Sequence, residues 1–352
     1  MRRILSLAAA ALLVTSLHAQ KPDPALAAHV RADMDFLASD ELHGRGSLTR
    51  DEHLAAQYCA TVFEGLGLKP AGDNGTYLQK IPVDLSNMGP RSKQRLAVYE
   101  DAPRTETWNA IAILPGTDPK LKDEVILLTA HLDHLGVLKT PVNGDAVNNG
   151  ADDDASGTTA VLNLARELAA GKAPKRTVVF ALFGSEEMGG YGARGFLAKP
   201  PVPLTSLVAN LEFEMIGRPD PLVPNGTLWL TGYERSNLGP ELAKHGAKIV
   251  ADPHPKENFF MRSDNIALAR KGIIAQTVSS FGLHTDYHHV TDELKTIDFP
   301  YMTSAIAGME SSIHWLTDTN WKPDWLPNGK PDPNPPAPTT PRPAAPVPAA
   351  NQ

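Results

Sequence analysis

Between residues 124 and 292, one apolar run after another stops at an acid or an imidazole. Glu124-Val125-Ile126-Leu127-Leu128-Thr129-Ala130 runs into His131-Leu132-Asp133, and residues 176–183 lead into Gly184-Ser185-Glu186-Glu187. Gly150-Ala151-Asp152-Asp153-Asp154 precedes a helical pattern, Phe213-Glu214-Met215-Ile216 closes another run, and residues 273–279 are soon followed by Asp286-Tyr287-His288. A continuous apolar run is what a strand covered on both faces requires. Such strands alternating with helices predict an α/β fold, a mixed and mostly parallel β-sheet sandwiched between helices. The carboxyl ends of parallel strands share one edge, where open α/β sheets place their sites. Five polar stretches brought to one edge read as a binuclear metal centre, with a metal-activated water attacking a carbonyl.

The flanks follow from period and punctuation. Residues 25–38 and 50–66 carry helical periodicity around a polar turn region, while 77–83, 95–99 and 107–114 have strand character. Further helices are expected over 154–170, 189–198, 236–246, 263–270 and 299–316, and strands over 207–216 and 227–231. Met1-Arg2-Arg3, an apolar run over 4–14 and Ser16-Leu17-His18-Ala19 form a secretory signal pattern, so residues 1–19 are set apart from the fold. The run is short for a membrane span, and an uncleaved anchor is the alternative. From residue 321 proline dominates and predicts an extended, disordered tail over 321–352. That leaves 20–320 as one domain of an exported protein, periplasmic or extracellular. Loss of Arg2 and Arg3 moves the net charge from −7 to −9, and an acidic chain without a basic stripe is no nucleic-acid binder. The single cysteine, Cys59, lies in an amphipathic helical pattern and reads as a buried, inert thiol.

Each polar stretch has a chemical reading. His131 supplies an imidazole at a strand end, and Asp133 is placed to orient it or a neighbouring group. His134 follows without a clear aim. An N-cap accounts for one of Asp152, Asp153 and Asp154, but adjacent carboxylates repel unless a cation offsets them, so one of the three is expected to bridge two metals. In Glu186-Glu187 one carboxylate can bind metal while its neighbour takes a proton from water. Glu214 is an acid inside an apolar strand, with Glu212 on the same face. Of His284, Asp286, His288, His289 and Asp292, at most two imidazoles are needed as ligands.

Together AHLDH, GADDDASG, GSEEMGGYGA, NLEFEMIG and HTDYHHVTDE resemble the co-catalytic di-zinc aminopeptidases of clan MH, over nearly all of residues 30–318. The resemblance implies two Zn²⁺ per chain. His131 and Glu214 would hold one, Glu187 and His288 the other, with Asp153 between them and a cis peptide to Asp154. It also implies Glu186 as general base and Asp133 as an outer-shell acid. Two departures stand out: Glu214 occupies a position where many members have Asp, and the doubled His288-His289 offers a second register. The implied activity is removal of N-terminal residues from peptide substrates. A glutaminyl-cyclase-like acyltransferase would work with a single zinc, and retention of both His131 and an acid at 214 disfavours it. A carboxypeptidase-type hydrolase would need a cation for the substrate carboxylate, with Arg218 and Arg262 as candidates. A degenerate, non-enzymatic metal-binding ectodomain is disfavoured by the presence of Glu186.

Overall fold

The structure is a computed structural model that describes residues 23–99 and 105–334; residues 1–19 and the stretch from 335 onward lie outside the described residues. Among the described residues the strands are β1 (Lys69–Pro70), β2 (Leu78–Pro82), β3 (Glu106–Leu114), β4 (Val125–His131), β5 (Gly136–Val142), β6 (Asp145–Asn148), β7 (Thr177–Phe183), β8 (Leu207–Phe213), β9 (Leu228–Leu230), β10 (Ile249–Ala251) and β11 (Ala275–Ser279). The α-helices are α1 (Pro24–Leu37), α2 (Arg50–Gly65), α3 (Pro90–Leu96), α4 (Gly157–Ala170), α5 (Tyr191–Ala198), α6 (Leu238–Lys244), α7 (Asn265–Arg270) and α8 (Phe299–Asp318).

The apolar runs form the middle of one sheet of order β1-β3-β7-β4-β8-β11-β9-β10, with β2 also on β3. Neighbours are parallel from β7 through β4 and β8 to β11, and antiparallel where β3 joins β7 and β9 joins β11. Every residue of β4 and β11 is buried, as two-sided cover demands. One layer, containing α1, α2, α4 and α8, packs over one face through Met34, Phe63, Leu164 and Met309; α5 and α7 supply Phe196 and Leu268 to the other face. The chain leaves β4 for β7 on one side, then returns to β8 on the other. This reversal opens a crevice at the carboxyl ends of the parallel strands. Cys59 is buried on α2, and burial pushes its thiol up, which leaves it inert.

Three local readings change. Residues 95–99 are not a strand: α3 starts on Pro90 after Gly89 and its Arg-Ser-Lys-Gln-Arg-Leu stretch favours a helix, with Leu96 buried against Leu48, Val83 and Met88. A hairpin of β5 and β6, absent from the sequence reading, turns at Asn143-Gly144, both with positive φ. Packed chain also continues past residue 321, since Trp321 and Trp325 lie against the core, the Trp325 indole N–H donates to Gly272 O and Arg235 donates to Gly329 O. No helix among the described residues is long and apolar enough to cross a membrane.

On α8, partial burial and the neighbouring acids Glu167 and Asp23 push the Glu310 carboxyl up to about 7. Its unfolded value is about 4.3. A folded pKa above the unfolded one contributes stability that is complete below the unfolded pKa and is lost as pH rises through the folded pKa. Glu310→Gln is therefore expected to raise Tm at pH 8 while leaving it unchanged at pH 3. Thermal unfolding across that range checks this, and a pH-independent shift would contradict it.

Candidate metal centre

The parallel registers deliver the polar stretches to one place. His131 is paired with Phe183, so Ser185-Glu186-Glu187 follows directly beside it, and Phe213 is paired with Val278, which brings Glu214 next to the loop after β11. Three non-glycine residues at this edge adopt left-handed backbone: Ser185 (φ 54°), Met215 (φ 52°) and His288 (φ 62°). Such conformations cost about 1–3 kcal/mol each and gather at functional sites.

The aspartate triplet forms the irregular turn before α4, and its members do different things. Asp152 Oδ1 accepts the N–H of Gly217 at 2.7 Å. Asp154 accepts N–H groups from Gly157 at 2.9 Å, Met215 at 3.1 Å and His131 at 3.2 Å. Those two tie the turn to β4 and β8. Asp153, between them, points its carboxylate at imidazoles and is joined to Asp154 by a cis peptide. Its Oδ1 lies 3.1 Å from His131 Nε2, and its Oδ2 lies 3.1 Å from His288 Nε2.

Two clusters meet on Asp153. In the first, Glu214 Oε1 is 4.0 Å from His131 Nε2. In the second, Glu187 Oε1 is 2.9 Å from His288 Nε2 and 3.3 Å from His134 Nδ1. His289 turns away, its Nδ1 bonded to Tyr287 O at 2.8 Å, whereas His288 faces the second cluster. His134, without an aim in the sequence, is fully buried and faces the second cluster.

Asp133 does more than orient an imidazole. His131 Nδ1 lies 3.2 Å from the Asp133 backbone carbonyl and 3.7 Å from its carboxylate. The carboxylate itself accepts the N–H of Glu186 at 2.9 Å and of Glu187 at 3.3 Å, and the Ser47 hydroxyl at 2.5 Å. The same turn is braced from behind by Glu52, whose carboxyl is bonded to the Ser185 and Thr107 hydroxyls at 2.7 Å each. Burial, with Asp133 nearby, pushes Glu52 up to about 8.

Beneath both clusters lies Arg45, fully buried. It donates to the carbonyls of Leu132 (2.9 Å), Asn149 (2.7 Å), Gly150 (2.9 Å) and Leu37. Burial lowers its pKa, opposed by Asp133, Asp154, Asp292 and Asp153. Arg45 thus joins the loop after β4 to the aspartate turn. Its neighbourhood of Gly, Ser and charged residues reads in sequence as an ordinary solvated loop.

Other candidates lie outside the clusters. Glu212 is buried and accepts from Asn265 N–H at 2.5 Å and the Ser263 hydroxyl at 3.0 Å, so it anchors α7. Asp292 accepts the N–H groups of Asp152 and Asp153 at 3.0 Å each, and His284 pairs with Asp152 at 2.9 Å. Arg218 is engaged by Asp286 at 2.7 Å, Asp292 at 3.5 Å and His284 at 2.9 Å. It is a structural countercharge. Arg262 does line the cleft, packed 4.8 Å over the Phe259 ring and 3.3 Å from Glu257. The cleft has Met215, Trp229, Phe259, Phe281 and Tyr287 as its apolar wall and Asp153, Glu186, Glu187 and Glu214 at the sheet edge. Asp220, bonded to Trp229 Nε1 at 3.0 Å and His254 Nε2 at 2.7 Å, fixes that wall.

The donor set fits cations. His131 Nε2 and both ring nitrogens of His134 are buried without a hydrogen-bond partner, although acids surround them. Burial disfavours a charged His131, yet Asp154, Asp133 and Asp153 outweigh it and raise its pKa; Glu187 and Asp153 likewise bring His288 up to about 9. The acids at this edge thus favour positive charge beside them. Nitrogen and carboxylate donors in groups of three, His131–Asp153–Glu214 and His134–Asp153–Glu187, suit zinc. Burial pushes Glu186 well above the ordinary range, helped by Asp264, Glu187 and Glu214 and opposed by His131.

Solved structures of the same architecture include an aminopeptidase from Aneurinibacillus sp. strain AM-1, at 16% identity and a TM-score of 0.60 over 85% of this chain and 95% of that one. A leucine aminopeptidase precursor from Bacteroides thetaiotaomicron, at 16% identity, has a TM-score of 0.56 over 82% and 95%. Fold and donor set together define an α/β protein with a candidate metal centre at its sheet edge. The model of peptidase family M28 matches residues 109–309, more than half the chain. The chain belongs to that family. Leupeptin-inactivating enzyme 1 of Streptomyces exfoliatus is 32% identical over 116 residues, 32% of this chain and 24% of that protein. A probable zinc metalloprotease of Pyrenophora tritici-repentis is 30% identical over 142 residues, 35% and 32% respectively. A vacuolar membrane protease of Clavispora lusitaniae is matched, at 30% identity, over only 10% of its length. The chain therefore spans a third or less of these curated relatives.

Proposed function

We propose that this protein is a metallopeptidase that removes N-terminal residues from peptides with two Zn²⁺ per chain. One zinc would be held by His131 and Glu214, the other by Glu187 and His288, with Asp153 shared. The observation that carries the reading is the division of labour at Glu186-Glu187: Glu187 faces Asp153 and His288, while Glu186, held by its backbone N–H on Asp133, leaves its carboxylate facing the cleft. Zinc bound there supplies Lewis acidity, lowering the pKa of water toward about 7 and polarising a carbonyl.

The residues' own part follows from position. Glu186 takes a proton from the water that attacks the scissile carbonyl and returns it to the leaving amine. Asp133 fixes where that base stands. Arg262, on the cleft wall, is offset by Glu257, which disfavours capture of a substrate carboxylate. The apolar wall suits an apolar side chain on the residue removed. The basic start and short apolar run of residues 1–19 support export to the periplasm or medium.

Aminoacyl-nitroanilides and their N-acetylated counterparts test the reading. Free-amine substrates are expected to be cleaved, acetylated ones spared, and a zinc chelator is expected to stop the reaction until zinc is returned. Comparable cleavage of blocked substrates would refute an aminopeptidase, and activity undisturbed by thorough metal removal would refute the zinc mechanism.

A further inference from the structure

We infer that His134 is itself a metal ligand, through Nδ1, and that the cation beside Glu187 is held by two imidazoles, His134 and His288. The inference rests on the two-cation reading above. His134 is 0% exposed, and neither of its ring nitrogens has a hydrogen-bond partner. A buried polar group left unsatisfied destabilises the fold. That expense at Nδ1 is removed if the atom it faces is a cation.

The geometry converges on one point. His134 Nδ1 lies 3.3 Å from Glu187 Oε1 and 3.8 Å from Asp153 Oδ2; His288 Nε2 lies 2.9 Å and 3.1 Å from the same two oxygens. Ligands bonded at about 2.0–2.1 Å in a tetrahedron stand about 3.3–3.4 Å apart. The four separations bracket that value. The two imidazoles also meet edge to face, with ring centroids 5.7 Å apart, so neither blocks the other's approach.

His134 is fixed in this attitude. Its N–H donates to Arg45 O at 3.1 Å, and its carbonyl accepts from Ser47 N–H at 3.3 Å. Its ring lies against Gly150 (φ 59°), where an added Cβ would come within 2.5 Å of Cγ. Only glycine leaves room for the ring there. The two cations then differ in kind. Around one, Asp153, Glu187, His134 and His288 make a four-ligand set, as in closed sites; around the other, Asp153, His131 and Glu214 leave a position open, as catalysis requires. The His134 cation anchors Asp153 and Glu187, and the His131 cation is the one open to substrate.

Wild-type protein carrying ¹⁵N-histidine and loaded with ¹¹³Cd²⁺ tests this without a variant. The expected spectrum has two cadmium resonances, one coupled to a single imidazole nitrogen and one coupled to two, an Nδ1 and an Nε2. Two resonances each coupled to a single nitrogen would overturn the assignment of His134 while leaving the two-cation reading intact. Binding of fewer than two cadmium ions would instead refute that underlying reading. In His134→Ala loaded with Co²⁺, one affinity is expected to fall more than tenfold with a changed ligand-field absorption, while the other cobalt is unaffected. An unchanged absorption spectrum in that variant also overturns the assignment, whatever happens to affinity.

Discussion

Glu186→Gln is expected to lower kcat by about 10²–10⁴-fold, the usual worth of a positioned proton-transfer group, with metal content and KM little altered. The amide keeps the volume of the carboxyl but cannot take a proton at neutral pH. The backbone N–H that Asp133 holds is untouched, so the turn and Glu187 stay in place. A metal analysis alongside the kinetics decides the matter. Loss of zinc together with activity would make Glu186 a binding residue, and full activity in the metal-loaded variant would remove it from the reaction.

Replacement of Arg45 by Met is expected to be the most damaging change outside the clusters. It removes the guanidinium donor from four buried carbonyls on three segments, of which Gly150 O is also bonded to a backbone N–H, that of Ala155. At about 1–3 kcal/mol for each unsatisfied group, even partial relaxation implies a loss of several kcal/mol. It also removes the positive charge beneath Asp133, Asp153, Asp154 and Asp292. Urea unfolding should show the loss in both apo and zinc-loaded protein, and chelator competition should show weaker zinc binding. Arg45→Lys keeps the charge but not the fork of donors, and should fall between. A Met variant within about 1 kcal/mol of wild type would mean that water replaces the guanidinium.

The same contrast explains what could be read from the chain. The parallel strands were legible because two-sided burial writes itself as an apolar run, and their polar ends were legible because an acid or imidazole ending such a run has little other reason to be there. His288 could be separated from His289 only by the left-handed turn that aims one ring inward. Arg45, Glu52 and Ser47 were opaque: their partners lie across the fold, and locally they look like solvated loop. The cleft wall was opaque for another reason. Trp229, Phe259, Phe281 and Tyr287 have no common period, and only the tertiary fold makes them neighbours. Helix α3 was missed because a seven-residue segment is too short for its periodicity to outweigh a few β-compatible residues.

Asp133 also limits how this edge of the sheet can vary. A single carboxylate holds consecutive peptide N–H groups, those of Glu186 and Glu187. The two side chains are therefore not independent settings: shifting one drags the other. Variation at that edge therefore moves both glutamates together, whereas Phe259 and Phe281 across the cleft lie outside the peptide unit that places them.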